Sequence, residues 1–360
     1  MSLRERLLGE PPWSSPERAL AFVDPRLAEL FSRETISDLL AVAAGQAVTS
    51  ERRISEKQFR LLMEHRVLIL IPDSWEIPDQ FEGAQRELLI WSMDLEVGSL
   101  AAIKHLKDAG IEPLVLKGMA TSRLDYLRPE LRHCGDLDLL VEEHERSHAV
   151  SVLKSNGYTL NAPRNFDPEF EKGYDLVSPD GIQVDIHSRI CHTSNNCPPD
   201  MLANGESIPD LDSCALPAEA RLVHAAAHFF FGPPQHRRLS GFADITAILA
   251  KQPPPDIEAT RDAARALGLE QAAYAALAAE AMLTGKDVSE YSSWEQPAGL
   301  LNLAYSRTKR LRAAEQFYIA SAFEGSRNRL RYISQKALPG KEFLEHRGGL
   351  AEYARGRTRK

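Results

Sequence analysis

A chain of 360 residues has room for about two domains, and 43% hydrophobic with 26% charged residues is an ordinary globular composition that excludes a largely disordered chain. The formal charge of −8 is unevenly spread: from Ser326 to Lys360 ten Lys and Arg face three Asp and Glu, a +7 segment that leaves −15 on the remainder. Such an acidic body argues against wrapping a long nucleic acid, since that binding rests on phosphate neutralisation.

The N-terminus carries no secretory h-region, and no stretch offers the roughly eighteen apolar residues of a membrane span. The four cysteines show no Cys-x-x-Cys spacing and fit free thiols, so a cytoplasmic enzyme with no membrane partner is expected.

Up to about Ile71, short helical patterns alternate with proline-rich joints such as GEPPW and IPDSWEIPD, which reads as a helical cap with loops. From Ala84 to Gly110, apolar residues recur at helical spacing at Leu88, Leu89, Trp91, Leu95, Leu100, Ile103 and Leu106, predicting a long helix with a glycine C-cap. Residues 1–110 are therefore a helical N-terminal extension. From Ile111 the pattern shortens. IEPLVLKG reads as a strand ending at Gly118, MATSRLDYL as a short helix, DLDLLV as a second strand, and ERSHAVSVLKSNGY as a helix closed by Gly157. YDLVSPDGIQVDIHSRI reads as a hairpin turning on Pro179, Asp180 and Gly181. These make a small mixed α/β core over residues 111–200. Beyond Leu216, helical spacing returns in PAEARLVHAAAHFFF, RLSGFADITAILAK, DIEATRDAARALGLEQAAYAALAAEAMLTG and the region from Pro297 to Phe323, a helical C-terminal domain over 216–360.

In a strand, side chains at i and i+2 share a face. Asp136 and Asp138 therefore project together while Leu137 and Leu139 face the core. Two adjacent carboxylates repel, and a cation between them removes the conflict. Hard oxygen ligands suit Mg²⁺ or Mn²⁺. On the hairpin strand, Val184 and Ile186 face one way, and Gln183, Asp185 and His187 the other. If that strand lies beside DLDLLV, Asp185 completes a three-carboxylate cluster, the parts of a two-ion phosphoryl-transfer site. Upstream, Gly118 opens a helix after a strand, where backbone N–H groups can face an anion, and Lys117 adds a point charge.

Arg132, four residues before Asp136, is a candidate for a triphosphate or carboxylate contact. His187 is better placed to orient an aspartate or touch substrate than to ligate metal. Asp244 either contacts substrate or pairs with Arg237 or Arg238. His187, Cys191, His192 and Cys197 match no common zinc spacing. His224 and His228 lie one helical turn apart, but HAAAHFFF lacks a zincin glutamate, so helix packing is the expected role, with pocket lining the functional alternative.

Together, VLKGMATSRLDYLRPELRHCGDLDLLV, LKSNGY and VDIHSRI resemble the uncharacterised nucleotidyltransferase family of the DNA polymerase β superfamily. The matching positions are Leu116, Lys117, Gly118, Tyr126, Pro129, Arg132, Gly135, Asp136, Asp138, Gly157, Tyr158, Asp185 and His187. HRRLSGFADITAIL is similar to that family's helical C-terminal segment, while the superfamily's Gly-Ser at the first turn is replaced by Lys117-Gly118-Met119.

The resemblance implies a minimal polymerase β-like domain (α/β plus α) that moves a nucleoside monophosphate from a nucleoside triphosphate, expected to be ATP. Asp136, Asp138 and Asp185 would hold two Mg²⁺ or Mn²⁺, with Lys117, Gly118 and Arg132 on the nucleotide and His187 and Asp244 near the acceptor. The acceptor is expected to be a small molecule, a peptide or a protein, with tRNA less favoured. Two alternatives stay open: a non-catalytic nucleotide-binding protein, and a kinase-like phosphoryl transferase.

Overall fold

The computed structural model describes residues 11–337 apart from 82, 162–169, 171–172, 195, 233–236, 300, 303–311 and 324, together with 345. Four helices, α1 (Pro16–Val23), α2 (Pro25–Leu30), α3 (Arg33–Ala43) and α4 (Glu56–Glu64), open the chain. Side-chain caps fix their starts: Ser15, Asp24, Ser32 and Ser55 each accept a backbone N–H of the first turn. At α4 the cap is reciprocal, with Gln58 returning to the Ser55 N–H. Two short strands, β1 (Arg52–Arg53) and β2 (Trp75–Glu76), pair in parallel beside them.

The 25-residue helix α5 (Ala84–Asp108) follows and ends as expected, with Gly110 at φ +81° and the Ile111 N–H returning to Leu106 O. Only part of its apolar spacing is buried. Leu95, Ala102, Ile103 and Leu106 pack on the sheet, whereas Trp91 and Leu100 are exposed.

The central sheet has seven strands in the order β5-β6-β7-β4-β3-β9-β8. They are β3 (Leu114–Leu116), β4 (Leu137–Leu140), β5 (Thr159–Leu160), β6 (Gly173–Val177), β7 (Gln183–His187), β8 (Glu206–Ile208) and β9 (Ser213–Ala215). Helix α6 (Lys117–Leu124) joins β3 to β4, and α7 (Arg146–Ser155) precedes β5. The β6–β7 hairpin turns where predicted, with the Gly181 N–H on Ser178 O and the Ser178 N–H on Ile182 O. The sheet continues past residue 200: after the short helix α8 (Pro199–Ala203), β8 and β9 form a second hairpin, and β9 runs parallel to β3.

Helices α9 (Ala218–Phe231), α10 (Leu239–Ala250), α11 (Ile257–Ala266) and α12 (Glu270–Thr284) follow, with α13 (Arg312–Ser321) and α14 (Gly325–Ala337) at the end. The long segment expected to be helical from Asp256 to Gly285 is two helices, divided at Leu267 to Leu269. In α14, Ile333 packs on the Phe170, Ile319, Phe323 and Tyr332 cluster while Leu330 stays exposed. Most of the basic segment beyond Ala337 lies outside the described residues.

Two larger apolar clusters organise these parts. One unites α5, α7 and the strand faces, including Val115, Leu137, Leu139, Val184 and Ile186. The other joins the first four helices to α9, α10 and α12. The N-terminal extension is thus shared: α5 covers the sheet, and the helices before it pack on the C-terminal bundle. A buried polar joint ties the bundle to the sheet. Arg221 on α9 donates to both Asp125 oxygens at 2.6 and 3.1 Å and to Glu206 at 2.7 Å. The Asp125 side chain is fully buried, so Arg221→Ala removes both its hydrogen bonds and leaves it Lys251 at 4.0 Å. The expected loss is about 3–5 kcal/mol of stability, read as the shift in a urea unfolding curve.

Candidate active site

Strand pairing sets the acidic cluster. β4 and β7 are parallel, with Asp138 opposite Asp185 and Leu140 opposite His187. Alternation sends Leu137, Leu139, Val184 and Ile186 into the apolar cluster, so Asp138, Asp185 and His187 share the other face. Ligand atoms of these three lie within 4.8 Å of one another. His187 Nε2 lies 2.7 Å from Asp138 Oδ1.

On the other side of β4, β3 is antiparallel and places Leu116 opposite Asp138. The next residue, Lys117, adopts a left-handed φ of +50°, and its ammonium donates to Asp138 Oδ1. Lys117 was expected on a phosphate; here it neutralises the central aspartate. Burial works to raise the Asp138 pKa, but Lys117 and His187 together hold it well below the usual carboxylate range.

Its neighbours behave in the opposite way. Burial and repulsion from Asp138 and Asp175 push Asp185 up to about 7. Asp136 is also raised, by burial and by Asp138, against the pull of Lys117, Arg66 and Arg132. Two carboxylates with raised pKa values beside a third are an electrostatic conflict that a hard dication resolves. The oxygen donors of Asp138 and Asp185 therefore fit a divalent metal, with His187 the third member of the cluster. Asp136, expected in that cluster, stands just before β4 in the wall of the adjoining cavity.

Close packing keeps His187 in place. At Gly173 on β6, opposite His187, an added Cβ would fall 2.4 Å from Ile186 O and 2.9 Å from His187 Nδ1. Gly173→Ala must part the hairpin or turn the imidazole, at an expected cost of about 1–3 kcal/mol, seen in urea unfolding together with a shift of the His187 ring resonances.

The cavity, of about 510 Å³, lies between the sheet and α9 and α10. Lys117, Gly118, Arg132, Asp136, Asp138 and Asp244 all line it. His224 and His228, for which packing was expected, also border it from α9. Asp244 pairs with neither Arg237 nor Arg238: Arg132 grips it in a fork at 2.5 and 2.8 Å, and the Tyr126 hydroxyl donates to it at 3.0 Å. Arg132, expected on the nucleotide, thus faces a buried carboxylate of α10. Among the described residues His187, Cys191, His192 and Cys197 do not gather as a metal set.

Two further residues line it. Arg66 and Arg238 enter the same cavity from the end of α4 and the start of α10; Arg238 lies in the HRRLSGFADITAIL segment, where the sequence offers it only as a partner of Asp244, and no spacing or motif marks Arg66.

A protein-family profile described as "uncharacterised nucleotidyltransferase" matches residues 79–284. The chain belongs to this family. It falls within the polymerase β-like nucleotidyltransferase superfamily. The matched span of this family member runs from before α5 to the end of α12 and contains every aspartate of the site. Among solved structures, that of the antibiotic-resistance factor ANT(2'')-Ia is similar, at 15% identity and a TM-score of 0.31 over 48% of this chain and 92% of that one. No curated protein matches.

Proposed function

We propose that the chain transfers a nucleoside monophosphate from a nucleoside triphosphate, with ATP as donor, to a small-molecule, peptide or protein acceptor. The observation that carries this reading is the β4–β7 register, which sets Asp138 against Asp185 at the edge of a cavity walled by Asp136. Asp136, Asp138 and Asp185 would hold two divalent ions, Mg²⁺ or Mn²⁺, which when bound would polarise the phosphates and favour ionisation of the acceptor hydroxyl.

His187 fixes the Asp138 carboxylate by its hydrogen bond. Asp185, whose pKa is pushed up to about 7, would take the acceptor's proton. Gly118 and Lys117 border the phosphates at the β3–α6 turn. Lys117 reaches them by releasing Asp138, which a cation on that carboxylate would favour. Arg132 holds Asp244 and so keeps α10 against the core, leaving His224 and His228 to face the acceptor.

The decisive experiment incubates the protein with Mg²⁺ or Mn²⁺ and ATP labelled at either the α or the γ phosphate, with a metabolite and peptide extract as acceptor. Nucleotidyl transfer moves the α label and frees pyrophosphate. Transfer of the γ label alone would establish the kinase-like alternative. Tight ATP binding without movement of either label would leave a nucleotide-binding protein.

A further inference from the structure

The first turn of α10 is capped by a residue far away in sequence. The Leu239 N–H donates to His65 Nδ1 at 3.2 Å, and the Ser240 N–H to His65 O at 3.3 Å. Helix starts leave such donors without intrahelical partners, so this staple fixes the end of α4 on the start of α10. The residues immediately beside the staple are Arg66, which follows His65, and Arg238, which precedes Leu239. Both guanidiniums line the cavity that holds Asp136 and Lys117.

Their condition differs from that of the other arginines nearby. Arg132 is spent on Asp244 and Arg221 on Asp125 and Glu206. Among the described residues, neither Arg66 nor Arg238 has a carboxylate within ion-pair distance. Burial lowers the pKa of each; Arg238 and Arg132 repel the charge of Arg66 and Arg132 that of Arg238, while Asp136 supports both. Asp136 is the one carboxylate these two guanidiniums share among the described residues, so the cavity keeps an excess of positive charge on that side that a further anion would relieve. The backbone also makes room for it: Arg66 sits at a left-handed φ of +57°, and its Nη1 lies 2.3 Å from where a Cβ on Gly135 would stand. Gly135 thus lets one guanidinium lie directly on the entry to the Asp136–Asp138 segment.

We propose that Arg66 and Arg238 are the polyphosphate grip of this cavity, an assignment that rests on the nucleotidyl-transfer reading for the nature of its ligand. Guanidinium forks match phosphate oxygens in pairs. Two of them in one cavity suit a chain of phosphates better than a single carboxylate. Arg66 also lies outside the span 79–284 that defines the family, so the N-terminal helices complete the site from beyond the matched region.

The test uses the full chain and inorganic tripolyphosphate, titrated calorimetrically in EDTA, with AMP as a control. Arg66→Gln and Arg238→Gln are each expected to weaken tripolyphosphate about tenfold, the usual worth of a charge-assisted contact, and AMP by less than about twofold. Gly135→Ala should weaken it as Arg66→Gln does, because the methyl group displaces the end of a flexible side chain while leaving the arginine in the sequence. That variant and Arg238→Gln decide the matter if Arg66→Gln fails to fold. Unchanged affinity in both, with the fold verified by circular dichroism, overturns the grip. So does a wild-type protein that ignores tripolyphosphate, or one for which citrate competes equally well. Label transfer from ATP is scored separately. A failed grip with intact transfer removes only this assignment, and a working grip without transfer removes only the proposed activity.

Discussion

Asp136→Asn and Asp138→Asn are both expected to lower nucleotidyl transfer by about a thousandfold or more, as loss of an anionic ligand to catalytic ions implies, yet to move stability in opposite directions. Asp138 accepts from Lys117 and touches His187, and its side chain is 2% exposed. Making it neutral leaves the Lys117 ammonium without its counter-charge in a mostly buried place, at a cost of about 3 kcal/mol or more. Asp136 makes no hydrogen bond or ion pair among the described residues, and burial and Asp138 penalise its charge more than Lys117, Arg66 and Arg132 relieve it. Asp136→Asn should therefore fold as well as the parent protein in EDTA, or better. Label transfer and urea unfolding on the two variants separate these effects. Lys117→Met in the Asp138→Asn background should recover stability without activity. Either aspartate variant keeping a near-parental rate with Mg²⁺ would remove the two-ion proposal.

That asymmetry shows where the sequence is legible and where it stops. Period-two alternation in DLDLLV and IQVDIH fixed which side chains share a face within each strand, because Leu137, Leu139, Val184 and Ile186 must be buried, but that the two strands are neighbours, and in what register, comes only from the β4–β7 pairing. The Ser178 to Ile182 turn was legible for the same local reason. Contacts set by distant chain were not. Arg132 and Asp244 are 112 residues apart, and nothing local to either names the other. Lys117 was expected on a phosphate, whereas the partner it takes here depends on the β3–β4 register and a left-handed backbone. Strands β8 and β9 span three residues each, too few to display a period. Helical spacing in α5 gave the period but not which apolar residues meet a neighbour, so Trp91 and Leu100 emerged exposed. Arg66 follows an unremarkable helix end, and only the His65 staple to α10 brings it to the cavity.

The pH dependence of metal-free stability gives the sharpest physical test of the cluster. Asp185 is pushed up to about 7 by burial and by Asp138 and Asp175, with Gln183 and Lys117 pulling the other way. An unfolded aspartate titrates near 4. Between about pH 4 and 7 the folded state therefore keeps a proton that the unfolded state has lost, and stability from this group falls as pH rises. The full shift corresponds to at most about 4 kcal/mol at pH 8. The raw curve of the parent protein does not show it directly. Burial lowers His65 and His133 to about 4, and an unfolded histidine takes up its proton below about 6.5, so these two add stability over much of the same window. Asp138, held well below the usual range, stays ionised in the folded state and adds a rising slope only near about pH 4 to 5, where the unfolded aspartate still loses its proton. The difference between parent and Asp185→Asn isolates the carboxylate. In EDTA the variant should match the parent near pH 4 and become progressively more stable than it up to pH 8. Mg²⁺ at pH 8 should then raise the melting temperature of the parent and not that of the variant, because only the parent offers the ionised Asp185. Parallel curves in EDTA would show that Asp185 is not held protonated. Equal Mg²⁺ stabilisation of both proteins would place the ion away from Asp185.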